Sequence, residues 1–512
     1  MVIFSSPFSD VAITDQTITE RVFSDLVKRP NEVVLIDGPT GRSLTAADFM
    51  VQVKCLAGGL TAKGLGTGKT IALMAPNIPE YCVVFHGVAW AGGTITTLNP
   101  GYTGSEIAHQ LADANADILI TTSDFVETAK AGAGNRQVIT IGTPEYDSLF
   151  GQPLEAQIPV DLDVHTVVLP YSSGTTGLPK GVMLSHRNLV VNVDQSISAA
   201  DFQRGEITAA FLPLFHIYGM NVLMNVHLAG GGALVTMPRF DLAMFLQISQ
   251  DYKTRRMWVV PPVAIALAKH PLVLDYDLSH LEMVFIAAAP SGPELTDALA
   301  ARLNCTVLQG FGMTELSPVS HLVPFNAPRS GAVGVLLPNT TCQIVDPESG
   351  QALPVGQEGE LWIKGPQVMQ GYLNNAIATA ESITADGWLR TGDIARVDAD
   401  GYMFIVDRLK ELIKYKGFQV APAELEAALV AMDGIADAAV IGLPDDEAGE
   451  LPIAFVIRSE GGQNEAAIHA HFVDKLATYK QLHQIRFVDE IPKSASGKIL
   501  RRFLRDQISQ ES

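Results

Sequence analysis

Tyr171-Ser-Ser-Gly-Thr-Thr-Gly-Leu-Pro-Lys-Gly181 follows directly on the apolar run His165-Thr-Val-Val-Leu-Pro170, which reads as a buried strand. A loop leaving such a strand end lies where α/β proteins seat their ligands. Gly174, Gly177 and Gly181 permit positive φ and let backbone N–H groups turn toward an anion. Ser172, Ser173, Thr175 and Thr176 add hydroxyl donors, and Lys180 adds a point charge able to follow a moving phosphate. The competing reading is a flexible surface turn; the strand before the loop and the lysine at its end argue against it. The loop is not a Walker A motif. The better imitation of one, Gly64-Leu-Gly-Thr-Gly-Lys-Thr70, has Lys63 where the first glycine belongs and precedes the strand Thr70-Ile-Ala-Leu-Met-Ala75, so it reads as a turn.

The chain has 512 residues, 47% of them hydrophobic and 18% charged, which predicts a globular protein of several domains. A formal charge of −20 argues against nucleic acid as a partner, so anionic ligands need local lysines, arginines and N–H groups. Cys55, Cys82, Cys305 and Cys342 are scattered without metal spacing and suit a reducing compartment. The start lacks signal-peptide character, no apolar run is long enough for a membrane span, and the end, Ile508-Ser-Gln-Glu-Ser512, is not a peroxisomal address. The expected location is cytoplasmic.

Up to about residue 325, apolar runs such as Ala116–Thr121, Ala209–Pro213, Arg256–Val260, Met283–Ala287 and Thr306–Gln309 alternate with helical patterns over Ala46–Leu60, Ser105–Ala114 and Pro293–Leu303. The expectation is an α/β fold: a large N-terminal domain of two parallel sheets flanked by helices. Between about 331 and 407, short strands with Gly, Pro and Asp turns predict a small β-rich subdomain. After a basic connector come a helix over Ala423–Met432, strands over Ala438–Leu443 and Pro452–Arg458, a helix over Glu465–Tyr479, a strand near Ile485–Val488 and a last helix from Gly497. That length suffices for an independent C-terminal α+β domain.

Four further segments accompany the opening loop: Gly310-Phe-Gly-Met-Thr-Glu315, Gly359-Glu-Leu-Trp-Ile-Lys-Gly365, Thr391-Gly-Asp393, and Asp407-Arg408 with the distant Ser494-Ala-Ser-Gly-Lys498. In this order the set resembles the acyl-adenylate-forming (AMP-binding) superfamily, which includes acyl-CoA synthetases, adenylation domains and luciferases, and the resemblance covers nearly the whole chain. The run from Asp407 to Glu426 looks most like the 4-coumarate:CoA ligase branch. The resemblance implies an N-terminal AMP-binding domain over 1–407, a hinge or linker over 408–416 and a mobile C-terminal domain over 417–512. It implies a ligase that uses ATP, Mg²⁺ and coenzyme A, works as a monomer or homodimer, and turns a small carboxylic acid first into acyl-AMP and pyrophosphate and then into a CoA thioester.

By the same resemblance, Ser172, Ser173, Gly174, Thr175, Thr176, Lys180 and Thr314 bind the nucleotide phosphates, and Glu315 binds Mg²⁺, whose oxygen preference suits a carboxylate. Asp393 and Arg408 contact the ribose; a carboxylate can accept from both sugar hydroxyls. Lys498 reaches in from the mobile domain to stabilise charge on the α-phosphate. Lys410 is the hinge. Lys414 and Gln419 serve thioester formation, and Arg239, Lys416 and Gly417 contact CoA. His216 sits beside the substrate carboxylate, with a satisfied core histidine as the alternative. His186 anchors a helix start.

The acyl pocket implied by the alignment is lined by Ile217, Tyr218, Val222, Phe285, Ala288, Gln309, Gly310, Gly312, Pro318 and Val319, a flat slot that favours a 4-coumarate or cinnamate type of acid. A medium-chain fatty acid fits much of the same lining, and a luciferase-like oxygenase shares the motifs. Two departures bear on specificity: Ile286-Ala-Ala-Ala-Pro290 replaces the branch's usual Ser-Gly-Ala/Gly-Ala-Pro, and Pro293 stands where plant enzymes often carry lysine. An amino-acid adenylation domain would need an acidic residue near Phe215-His216, and none is there.

Overall fold

The computed structural model describes residues 2–172, 179–289, 291–416, 418–445, 447–459, 461–494 and 497–511, without the side chains of 474, 475 and 509–511. Strands Thr166–Ser172, Thr94–Thr97, Thr70–Met74, Ile118–Thr121 and Gln137–Thr140 lie side by side and parallel in a seven-stranded sheet. Lys180–Ser185 and Gly371–Tyr372 extend the sheet antiparallel beyond Thr166–Ser172. The central strands Thr94–Thr97, Thr70–Met74 and Ile118–Thr121 are almost continuously buried because helices cover both faces; Pro79–Trp90, for example, is buried at eleven positions.

The remaining parallel strands divide into two smaller sheets. Ile207–Ala210, Ala233–Thr236 and Val33–Asp37 form one with Ser43–Thr45 at its edge, and Arg256–Val259, Met283–Ile286 and Thr306–Gly312 form the other. The second of these continues antiparallel through Val319–Leu322 to Val335–Leu336. The β-rich segment is an antiparallel sheet of Thr341–Val345, Gly359–Lys364, Leu389–Val397 and Met403–Arg408, and the N-terminal strand Phe4–Ser5 joins its edge. The C-terminal segment packs Pro422–Val430 and Glu465–Lys475 on one face of the sheet Ile413–Tyr415, Phe418–Val420, Ile435–Asp445, Gly449–Arg458 and Gln484–Phe487. Arg501–Glu511 covers the other face, so the segment has cores of its own.

Two helices differ from the periodicity. Glu465 begins a helix that ends at Lys475 rather than Tyr479, because Leu476 turns extended and the Gln481 amide donates to the carbonyls of Phe472 and Leu476, both at 3.0 Å. The last helix starts at Arg501, not Gly497. Before it, the Ser494 N–H donates to the Lys498 carbonyl at 2.8 Å and closes a turn.

Most relevant to the site is the helix His186–Ala199 that follows the phosphate loop. Ser185 caps it: its hydroxyl accepts from the Asn188 N–H at 3.2 Å while the Asn188 amide oxygen accepts from the Ser185 N–H at 2.9 Å, a reciprocal capping box. His186 anchors the start as expected, fully buried, with Nδ1 accepting from the Ile18 N–H at 3.1 Å. Its neutral ring follows from burial, which lowers its pKa to about 3.

Elsewhere the helix Ala46–Ala62 carries Gly58 and Gly59 where the chain at 149–152 crosses it; a Cβ on Gly59 would stand 1.9 Å from the Leu149 carbonyl oxygen. Gly59→Ala should therefore destabilise the protein by about 3 kcal/mol or more, because backbone cannot yield as a side chain can. A thermal-unfolding midpoint within a degree of wild type would contradict that close approach.

Candidate active site

The phosphate-loop hairpin leaves strand Thr166–Ser172 and returns on Lys180–Ser185, with Ser172 opposite Lys180 and Tyr171 opposite Gly181. The expected phosphate ligands Ser173, Gly174, Thr175 and Thr176 lie outside the described residues. Gly181 corrects an expectation: it sits in regular strand rather than at positive φ. Its lack of a side chain serves close packing, since a Cβ there would come within 3.1 Å of the Tyr171 ring. That end of the ring is fixed, since its hydroxyl donates to Asp113 Oδ2 at 2.6 Å.

Glu315 occupies a short turn, Thr314–Leu316, and is buried. Its Oε1 accepts from the Ser172 hydroxyl at 3.1 Å and from the Tyr372 hydroxyl at 2.8 Å. Lys180 Nζ lies 4.8 Å from the centre of the Tyr372 ring. Thus Ser172, Lys180 and Glu315 come together as expected, with half-buried Thr314 beside Glu315. Tyr372 joins them unforeseen. The two-residue strand Gly371–Tyr372 pairs with Met183 and Val182 from across the chain, and no local periodicity announces it.

Asp393 and Arg408 face each other across antiparallel strands, with Arg408 Nε 2.9 Å from Asp393 Oδ1. Asp393 is only 3% exposed, and its buried Oδ2 has no hydrogen-bond partner among the described residues. Burial raises its pKa, opposed by the charges of Arg408 and Lys498. The free oxygen suits a donor that the protein itself does not supply, such as a sugar hydroxyl.

Lys498 enters from the C-terminal segment next to Gly497, which takes φ +80° against Pro262 and Val260. Its pKa is lowered to about 8, first by burial and then by the neighbouring Arg408 charge, with Glu411 and Asp393 pulling the other way. Arg501, three residues on, anchors this segment: Nη2 meets both oxygens of Glu426 at 2.7 Å and Nη1 meets Glu411 at 2.9 Å. His216 completes the cluster. Its pKa falls to about 4, through burial and then the Lys498 charge, so the ring is neutral at pH 7. Nδ1 accepts from the Tyr218 N–H at 3.2 Å, which leaves the proton on Nε2.

The remaining candidates lie elsewhere. Lys414 and Gln419 are opposite one another on the exposed hairpin Ile413–Tyr415 and Phe418–Val420. Lys416 adopts φ +48° beside them, with Nζ 3.8 Å from Glu447. Gly417 lies outside the described residues. Lys410 is exposed in the turn after Arg408. Arg239 is exposed on the wall of a cavity of about 450 Å³ that it shares with Phe215, Phe240, Pro262, Ser494 and Gly497.

Of the proposed acyl-pocket residues, Tyr218 and Val222 lie on the π-helix Tyr218–Asn225 immediately after Ile217. The Tyr218 hydroxyl is buried and has no hydrogen-bond partner among the described residues. Phe285 stacks on Trp258 at 4.6 Å. Ala288 takes φ +77°, a conformation that costs a residue with a Cβ on the order of 1 kcal/mol. Gln309 donates to the Ser291 carbonyl at 3.3 Å. The glycines do more than leave space. A Cβ on Gly312 would lie 2.3 Å from the Pro318 carbonyl oxygen, and one on Gly310 would lie 3.2 Å from that of His321. Pro318 follows a cis peptide bond, and half-buried Val319 comes next.

Known proteins agree with this geometry. Residues 23–373 match the family model described as AMP-binding enzyme, and 424–498 match the AMP-binding enzyme C-terminal domain. The chain is 42% identical to 4-coumarate–CoA ligase 5 of Oryza sativa subsp. japonica over 99% of its length and 97% of that protein. It is 41% identical to 4-coumarate–CoA ligase 2 of Petroselinum crispum with the same coverage. Among solved structures it is similar to ATP-bound MatB from Rhodopseudomonas palustris (TM-score 0.88, 29% identity, 97% and 100% of the two chains). It is also similar to the anthranilate CoA ligase AuaEII in complex with anthranoyl-AMP (TM-score 0.90, 25% identity, 98% and 99%).

Proposed function

The chain belongs to the AMP-binding enzyme family, and from that premise we propose that it is an ATP-dependent, AMP-forming acid:CoA ligase acting on a 4-coumarate or cinnamate type of acid. The observation that supports this reading most is the meeting of Asp393, Arg408, His216 and a lysine from the far end of the chain at one buried place.

In the first half-reaction the substrate carboxylate attacks the α-phosphorus of ATP and pyrophosphate leaves. Asp393 Oδ2 accepts from the ribose, and the Arg408 charge opposes the burial that favours the neutral form of that carboxyl. Ser172, Thr314, Lys180 and the loop residues 173–176 hold the phosphates. Lys498, protonated, faces the charge that builds between carboxylate and phosphate; a fixed cation in a desolvated site is worth far more than in water. Neutral His216 offers its Nε2 proton to the substrate carboxylate. Glu315 would hold Mg²⁺, whose charge would offset that of the phosphates; a buried carboxylate accepting two hydroxyl bonds is an oxygen donor of the right kind.

For the second half-reaction the C-terminal domain, 417–512, turns about Lys410 on the 408–416 linker. The exposed Lys414–Gln419 hairpin then replaces Lys498 at the site, while Arg239, Lys416 and Gly417 receive CoA. The unpartnered Tyr218 hydroxyl favours an acid with a polar ring substituent over an aliphatic chain. We place the enzyme in the cytoplasm, where its four free cysteines suit a reducing milieu, as a monomer or homodimer.

The deciding experiment is a panel of CoA-thioester formation across 4-coumarate, cinnamate, benzoate and C6 to C12 fatty acids. We expect 4-coumarate or cinnamate to give the highest kcat/KM; thioester from none of the acids would defeat the ligase reading. Lys498→Ala should lower pyrophosphate release by about 10²- to 10³-fold while sparing CoA transfer to preformed acyl-AMP, and Lys414→Ala should do the reverse. Equal loss of both steps in either variant would refute the division of labour.

A further inference from the structure

Val319 is held in an unusual way. It follows Pro318, which has no N–H to give, at a place where the pairing of Thr306–Gly312 with Val319–Leu322 slips register. On the other edge the strand Val335–Leu336 pairs with Leu322 and His321 and, among the described residues, stops short of Val319. Instead the side chain of Asn192, fully buried on the helix His186–Ala199, takes both of its backbone groups: Nδ2 donates to the Val319 carbonyl at 2.7 Å, and Oδ1 accepts from the Val319 N–H at 3.2 Å. The amide thus does the work of a neighbouring strand.

Its orientation is locked, because Nδ2 also donates to Gln195 Oε1 at 3.0 Å while the Gln195 amide donates to the Pro338 carbonyl at 2.6 Å. A flipped amide would set donor against donor at Val319. The adjoining residue is fixed similarly: Asn221, on the π-helix that carries Tyr218 and Val222, donates to the Ser317 carbonyl at 2.6 Å. On its other side this backbone lies against Gly312, where not even a Cβ would fit. The Ser317–Val319 segment is therefore clamped between a glycine and two buried amides.

We infer that Asn192 is a specificity-determining positioning residue: by clamping Val319 it sets the depth of one wall of the acyl slot. The inference rests on the acyl pocket proposed above. Asn192 touches neither substrate nor nucleotide in this scheme and acts through Val319 and Pro318. A clamp of this kind makes the slot's width a property of the helix behind it as well as of the residues lining it.

The test is Asn192→Asp, which keeps the acceptor for the Val319 N–H but turns a carboxylate oxygen toward the Val319 carbonyl. We expect the KM for 4-coumarate to rise about tenfold and the kcat/KM ratio of 4-coumarate to its wider 3,5-dimethoxy analogue to shift by about fivefold, while the KM for ATP stays within about twofold. Asn192→Ser, which keeps a donor of smaller reach, should move the ratio in the same direction by less and serves if the aspartate variant does not fold. Parallel rises in the KM for acid and ATP, or an unchanged acid ratio in a folded variant, would overturn the inference alone. A wild-type protein that ligates no acid would remove the ligase reading and this inference with it.

Discussion

Asp393 is a buried carboxylate with one oxygen that no described residue meets, and nearby cations oppose the burial that raises its pKa. Arg408 pairs with it from the adjacent strand, and Lys498 adds a second positive charge from the C-terminal segment. Burial alone would drive this carboxyl toward its neutral form. The C-terminal segment thus contributes, through Lys498, to the charge balance around Asp393. The cations in turn press on each other: Lys498 loses part of its affinity for its proton through burial first and then because Arg408 is close, and Glu411 and Asp393 only partly offset this. An arriving polyphosphate would supply the missing negative charge.

The same docking bears on the order of the two proposed steps. Gly497 packs on Pro262 and Val260, and with Ser494 it forms part of the wall of the cavity on which Arg239 stands. The lysine loop thus stands beside the space that the proposed CoA contact shares, while Lys414 and Gln419 face solvent. In the proposed scheme this is the arrangement of the first half-reaction, and the second requires the loop to leave. Arg501, bound by Glu426 and Glu411, ties the segment that carries Lys498 to the residue just after Lys410, the proposed hinge.

Much of this was legible in the sequence. Pro293–Leu303 forms the helix its periodicity predicts, end to end, and the strand runs before residue 325 fall in parallel sheets. The motifs place Glu315 near Ser172 and Asp393 against Arg408, because each couples a chemically distinctive residue to a turn or strand end. What escaped depends on contacts between segments with no local signature. Tyr372 reaches Glu315 through a strand of two residues, and Asn192 holds Val319 across 127 positions. Gly181 departs from its expectation, and Gly312 gains a second reason for being glycine, on related grounds: composition shows that a side chain is missing, and only the fold shows whether φ or a neighbouring atom requires it. The phosphate loop itself, at 173–178, lies outside the described residues, so its role rests on its sequence and on the groups around it.

The most direct measurement of this account is the pH dependence of acid-dependent exchange between pyrophosphate and ATP, without CoA, at low substrate so that the free enzyme is reported. Lys498 must be charged to act, and its pKa is depressed to about 8, so the active form is lost as pH rises through that value. His216, with a pKa near 4, stays neutral throughout. The account predicts exchange that falls with a single ionisation near pH 8, and a fall that disappears in Lys498→Arg. Exchange that stays flat to pH 10, or that proceeds without any carboxylic acid, would contradict it.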